Sequence, residues 1–358
     1  MKGTMIQGGR EPVRVYRTTK PRAFDRASAY YRLDAVDQGR ILRHGDGPNG
    51  CDALMMREAI VYESEGIYHL HYDACGSTSG YCAPCLATSR DLTHWDLKGP
   101  ALQIGSPGQP DAAGVASPWF FFDGQEWHMF YIGFPNRGPS GMECLASPYL
   151  TMKARSASLA GPWTKQYDVV PFRPQPNTYY AVNASPGHIV KSGDEYLMFF
   201  SPQMYCCGET LRSLAIARTR DLNGPWTVDP APIVPMTEQI ENSSLYYEEA
   251  NQMWFLFTNH IGVSAEGTEY TDAVWVYWSR DLNRWDARNK AVVLDGTNCT
   301  WSSTCIGMPS VVRVGDRLAL FYDAPGGTST SHFGRDIGLA WLDLPLMLPV
   351  RETGSGDK

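Results

Sequence analysis

The chain has 358 residues, 43% hydrophobic and 19% charged, a globular composition sufficient for two ordinary domains or one large all-β domain. Its formal net charge is −7, with no long basic run, which argues against a nucleic-acid partner or binding to an anionic membrane surface. No apolar run approaches the roughly 18 residues of a membrane helix.

The N-terminus, "MKGTMIQGGREPVRV", has no apolar core of a signal peptide. This leaves a cytoplasmic location, or a periplasmic or secreted one if a leader has been removed. Residues 1–56 read as an N-terminal segment. Within it "VRVYRT" or "AYYRLD" is expected to supply a strand that completes the last sheet, because an open sheet edge invites pairing with other chains.

From Arg57 onward one unit recurs five times. "MMREAIVYESEGIYHLHYDA" contains two apolar runs around a short polar turn. "ASPWFFFDGQEWHMFYIG", "ASPGHIVKSGDEYLMFFSP", "IENSSLYYEEANQMWFLFTNH" and "GMPSVVRVGDRLALFYDA" repeat the pattern. Aromatic and branched residues flanking turn formers predict β-hairpins. A second shared element follows each hairpin: "LATSRDLTHWDLKGPAL", "KARSASLAGPWTKQ", "AIARTRDLNGPWTVDPAPIV", "VWVYWSRDLNRWDARNKAVVL" and the shortened "IGLAWLDLPLML". It predicts a third strand, a turn marked by Arg-Asp-Leu or its remnant, and a fourth strand introduced by Trp. Four strands per repeat, five times, predict an all-β, five-bladed β-propeller of antiparallel strands over residues 57–349. A flexible tail is expected at 350–358.

Nine cysteines forbid complete pairing within the chain. Cys75, Cys82 and Cys85 have three of the ligands a zinc site would need. No second pair at metal-ligand spacing follows, so buried thiols or disulfides are the plainer reading and no metal site is assigned.

With these cassettes, above all "TSRDLTHW" and "WSRDLNRW", and with carboxylates heading two of the repeats, the chain resembles the five-bladed propeller glycoside hydrolases, among them families 32, 43, 62, 68, 117 and 130. The resemblance implies a glycosidase acting on an oligosaccharide, exo-acting and inverting. It calls for no cofactor and admits a structural calcium or sodium ion on the axis. In family 43 an Asp heading the first blade is the general base and a Glu heading the fourth is the general acid. These positions fall on Glu58 in "REAIVY" and Glu241 in "IENSSLYY". A second family Asp heads the third blade. Here that place holds "VNASPGHIV", with Asn183 and no Asp, which keeps a non-catalytic carbohydrate-binding propeller as the alternative.

Glu58 and Glu241 head different blades, and in a propeller both would face one funnel. Two converging carboxyls suit glycoside hydrolysis: one protonates the leaving oxygen and the other activates water. The apolar and aromatic neighbours in "IENSSLYY" predict that Glu241 holds the proton, and adjacent Arg57 predicts that Glu58 is the carboxylate. Each alone has a plainer reading, an Arg57–Glu58 ion pair or a solvated carboxylate before a turn. His188, His260 and His332 stand near predicted blade mouths and are candidate sugar-binding groups, His332 being the analogue of a family 117 acid. His71 reads as a core residue. Trp119 is a candidate stacking platform, and Asn259 and Asp323 are candidate partners of sugar hydroxyls, although Asp73 and Asp323 also fit simple turns.

Overall fold

The computed structural model describes residues 4, 6–13, 22–77, 82–136 and 147–348. The tail at 350–358, Cys144 and most of "VRVYRT" lie outside them. The protein is all-β. Among the described residues the helical turns are short 3-10 ones at Pro48–Gly50 and Met236–Glu238.

Five antiparallel sheets form the blades. Blade one joins Met55–Ser64, Ile67–Cys75, Cys82–Ser89 and Asp96–Pro100. Blade two joins Gly114–Phe122, Trp127–Phe134, Leu150–Ser156 and Thr164–Lys165. Blade three joins Asn183–Ser192, Glu195–Cys206, Ala215–Thr219 and Thr227–Val228, with a side strand, Glu209–Arg212, on its second strand. Blade four joins Ile240–Glu248, Met253–Val263, Glu269–Ser279 and Lys290–Asp295. Blade five joins Ser310–Val314, Arg317–Ala324 and Asp336–Asp343, and takes Val36–Leu42 as its outer strand. The inner strands touch in order around the ring, the fifth against the first.

The N-terminal chain therefore closes the ring, but not through "AYYRLD". Tyr31–Leu33 instead lies parallel to the outer strand of blade four, with Arg32 opposite Val292. Arg32 fastens it there through Asp295 at 3.0 Å. The closing strand is held by Asp37, which accepts a hydrogen bond from the Tyr322 hydroxyl at 2.5 Å. Tyr322 in turn accepts one from the Trp301 indole at 2.6 Å.

The repeated cassette has a repeated physical role. In "SRDL" the Ser hydroxyl accepts the Asp backbone N–H, for Ser89 and Asp91 at 3.2 Å and for Ser279 and Asp281 at 3.1 Å. The following Trp then donates its indole N–H back to the Leu carbonyl: Trp95 to Leu92 at 3.0 Å and Trp285 to Leu282 at 2.8 Å. The rings at this place, that of Trp226 in blade three included, are aimed at the preceding blade. Trp95 meets Phe321, Trp226 meets Phe130 and Trp285 meets Phe199, with centroids 6.0, 5.4 and 6.1 Å apart. The apolar core is thus a set of clusters between neighbouring blades.

Four inner strands carry a bulge at the same place, two residues facing one. The bulged pairs are Glu58–Ala59, Ser117–Pro118, Pro186–Gly187 and Asn242–Ser243. Glu58, Ser117 and Asn242 have φ of 54°, 48° and 61°. Their backbone N–H groups leave the ladder and need other acceptors. The second strand of the preceding blade supplies them. Asp323 accepts from Glu58 at 2.8 Å, Asp73 from Ser117 at 2.8 Å and Ser201 from Asn242 at 2.8 Å. In blade three the bulge begins with Pro186, which has no N–H, and the residue of blade two at the position of Asp73 is the apolar Ile132.

Asp323 and Asp73 are therefore neither sugar-binding groups nor simple turn residues. Both are buried, and both staple one blade to the next. Asp323 is also the partner of fully buried Arg335, at 2.5 Å. Asp323→Ala should lower stability by about 3–5 kcal/mol, because it strands the Arg335 charge. Asp73→Ala should cost only about 1–3 kcal/mol, the penalty of an orphaned N–H. Urea denaturation of the two variants measures the order; equal losses would contradict it.

Candidate active site

The bulges aim side chains at the mouth of the funnel. Glu58, inside the bulge of blade one, has a side chain that is 19% exposed. One carboxylate oxygen accepts a hydrogen bond from the Ser117 hydroxyl of blade two, and the other lies 3.5 Å from Arg57 Nη2. Glu241 lies one residue before the bulge of blade four, opposite Asn259. The two glutamates are thus not equivalent positions, as their place in the repeat had predicted. Glu241 corresponds to Arg57, and Asn242 to Glu58. They share the funnel nonetheless: the Glu241 charge acts on Glu58, and Tyr149 feels both.

Burial pushes the Glu58 carboxyl above the ordinary range. Arg57 and the Ser117 hydroxyl pull it down, while Asp323 and Glu241 push it further up. Glu241 is not ringed by apolar neighbours. Its carboxylate lies 3.5 Å from Arg212 Nε and 3.4 Å from Asn259 Nδ2. Arg212 comes from the side strand of blade three and also binds Glu269 at 2.8 Å. Burial opposes the charge of both arginines, but carboxylates outweigh it: Glu58 and Asp323 for Arg57, Glu241 and Glu269 for Arg212.

Tyr149 completes the mouth. Its backbone N–H donates to Asn183 Oδ1 at 3.0 Å, and its ring packs on Phe134 at 5.0 Å. Burial raises its phenol pKa, and Glu241 and Glu58 add to the rise. Asn183, nearly buried, holds Tyr149 and donates to Gln203. Tyr149, Arg212 and Ser117 are site residues that the sequence pattern did not single out. The insertion "CCGETLRS" between two strands of blade three, which carries Arg212, interrupts the four-strand pattern and is the one local signal that could have drawn attention to it.

The histidines separate. His332 Nδ1 lies 2.9 Å from Arg57 Nη1. A guanidinium only donates, so Nδ1 accepts and the imidazole proton sits on Nε2. Burial, Arg57 and Arg335 bring His332 down to about 3. It is neutral at physiological pH, which removes the analogy with an acid; it stays beside the site as a neutral neighbour of Arg57. His188 sits below the mouth between Trp119 and Tyr62, accepts the Leu245 N–H of blade four at 3.3 Å and is brought down to about 4 by burial. It is an inter-blade staple. His260 is fully buried, 2.8 Å from Asp272 and stacked on Trp275 with centroids 4.0 Å apart. His71 lies in the core against Phe120, as expected.

Trp119 and Asn259 are corrected as well. Trp119 is buried in the cluster between blades one to three and has no face to offer a sugar. Asn259 is fully buried and accepts from Asn242 at 3.0 Å while reaching Glu241, so it positions that carboxylate. The cysteines form no triad. Cys75 faces Cys82 across two strands, and Cys85 Sγ lies 3.6 Å from Cys51 Sγ. Among the described residues no group of three or more His, Cys, Asp or Glu side chains is placed to hold a metal ion.

The fold is that of solved five-bladed propellers. The chain superposes on BT0996, solved as a complex with RGII, with a TM-score of 0.67 at 13% identity, over 88% of this chain and 95% of that one. It superposes on Zg3597, a family 117 glycoside hydrolase produced by the marine bacterium Zobellia galactanivorans, with a TM-score of 0.59 at 14% identity, over 87% and 90% of the two chains. A thermostable family-43 glycoside hydrolase gives 0.59 at 14% identity, over 87% and 98%. No protein-family model and no curated protein sequence matches the chain.

The raised Glu58 carboxyl has a consequence for stability. The unfolded chain loses this proton near pH ~4.3, before the folded chain does. Wild-type stability from this group is therefore complete below that pH and is lost as pH rises through the folded value. Glu58→Gln has no such titration. Its melting temperature relative to wild type should climb from pH ~4 upward and then level off; a flat or falling difference would show that Glu58 is not raised.

Proposed function

We propose that the protein is a glycoside hydrolase that uses Glu58 and Glu241 as an acid–base pair in the mouth of the funnel. The observation that carries this reading is the convergence of two carboxyls in contrasting settings. Glu58 is partly buried, and desolvation raises its carboxyl pKa despite Arg57 at 3.5 Å, whereas Glu241 is more exposed beside Arg212 at the same distance. Contrasting environments are what divide the two roles of such a pair. The glycoside hydrolases that share the fold, and the neighbour in complex with RGII, support a carbohydrate substrate.

In this reading Glu58 gives its proton to the leaving oxygen, and Glu241 takes a proton from the attacking water. The assignment is the reverse of the one implied by the resemblance to family 43. It rests on Arg212, which occupies the place where apolar neighbours of Glu241 had been expected. Tyr149, whose phenol both carboxylates act on, is the group that would hydrogen-bond the sugar in this reading. Exo action and inversion follow from the resemblance, and inversion requires the carboxyls to sit roughly 6.5–9.5 Å apart with water between them.

A panel of oligosaccharides and aryl glycosides tests the reading. Glu58→Gln should lose about a hundred- to ten-thousandfold in rate on poor leaving groups and far less on activated aryl glycosides. Glu241→Gln should impair both. The opposite pattern would restore the family assignment, and proton NMR of the first-formed anomer reports inversion or retention. Sugar binding by calorimetry without turnover on any substrate would establish the non-catalytic propeller, which the absence of a third-blade Asp favours.

A further inference from the structure

We propose that the N-terminal strap, residues 22–30, is a positioning element for the candidate active site, acting on Glu241 through the alternating chain Arg26–Glu269–Arg212–Glu241. This rests on the reading of Glu241 as a member of the acid–base pair. The four members come from four different segments. Arg26 belongs to the strap, Glu269 begins the third strand of blade four, Arg212 ends the side strand of blade three, and Glu241 lies on the inner strand of blade four. The contacts run without a gap. Arg26 Nη2 lies 2.6 Å from Glu269 Oε1, Glu269 Oε2 lies 2.8 Å from Arg212 Nη1, and Arg212 Nε lies 3.5 Å from Glu241 Oε2.

The strap is anchored at several points. The Ala27 N–H donates to the Thr237 carbonyl at 3.3 Å, just before the inner strand that carries Glu241. The Ala23 N–H donates to Glu209, at the start of the strand that carries Arg212, and Arg22 lies 2.9 Å from the same carboxylate. Arg26 also donates to the Ile261 carbonyl at 2.8 Å, and Ala29 is buried in the core between blades three and four. The strap thus touches the side strand that carries Arg212 and the turn that leads into the strand of Glu241.

The chain of charges works by competition. Arg212 is shared between Glu241 and Glu269, and Glu269 is shared between Arg212 and Arg26, with Arg22 further off at 3.4 Å. A carboxylate that takes more of Arg212 leaves less for its rival. Arg26 neutralises Glu269 and so releases Arg212 toward Glu241. The other groups that face Glu241 are Asn259, Tyr149, and Glu58 with Arg57 from blade one.

The inference predicts shifts of opposite sign from neighbouring substitutions. Glu269→Gln removes the rival carboxylate and frees Arg212, so the Arg212–Glu241 contact should tighten and move the Glu241 carboxylate carbon-13 signal one way. Arg26→Gln lets Glu269 draw Arg212 away, so the Arg212–Glu241 contact should loosen and move the same signal the other way. Arg26→Lys should restore the wild-type value. Carbon-13 NMR of carboxylate-labelled full chain reads this directly, with Glu241→Gln identifying the signal and thermal melting confirming that each variant is folded. With a turned-over substrate, kcat should fall severalfold in Arg26→Gln, far less than in Glu241→Gln, while KM changes little. Shifts of the same sign, or none in folded variants, would overturn the strap's role. Opposite shifts in a protein that hydrolyses nothing would keep the relay and sink the glycosidase reading.

Discussion

The backbone N–H of Glu58 is the point on which this propeller turns. A bulge in the inner strand gives Glu58 a left-handed φ and aims its carboxyl into the funnel, and the same bulge removes its N–H from the sheet ladder. The Asp323 carboxylate of blade five takes that N–H and is itself fixed by Arg335. A buried donor without an acceptor is destabilising by about 1–3 kcal/mol, so aiming a side chain and joining two blades become a single requirement. Asp73 and Ser201 meet the same requirement at the next bulge and at the fourth blade. The ring is therefore held by polar staples at its mouth and by tryptophan–phenylalanine contacts farther out.

Such staples explain how so much charge is held near the axis. Arg57, Arg212 and Arg335 are each placed against carboxylates, and one of these, Asp323, also accepts a backbone hydrogen bond. An unpaired buried charge would be far more expensive than any of these contacts is favourable, which fixes the geometry tightly. The two candidate catalytic carboxyls differ because their partners differ. Glu58 has a hydroxyl donor and Arg57 at 3.5 Å in a partly buried pocket. Glu241 has the shared Arg212 at the same distance and is more exposed.

The N-terminal chain serves the whole ring. One stretch closes blade five, another pads the outer edge of blade four, and the strap before them reaches the charges beside Glu241. Closure and site geometry are consequently linked through a segment that stands outside the fivefold repeat.

The sequence by itself determined the repeat. Turn formers between aromatic runs, the Ser-Arg-Asp-Leu turn and its Trp act within a few residues of one another, so they carry their structure locally and mark all five blades. It also placed Glu58 and Glu241 at the heads of two blades, because a carboxylate before an apolar strand stands out against its neighbours. Only the tertiary structure decided what surrounds them. Tyr149, Arg212, Asp323 and Ser117 meet these carboxyls across blade boundaries, where distances follow from ring closure and not from chain spacing. The one-residue offset between the two glutamates was hidden for a related reason. A bulge is a mismatch between paired strands, and it exists only once both strands have been brought together.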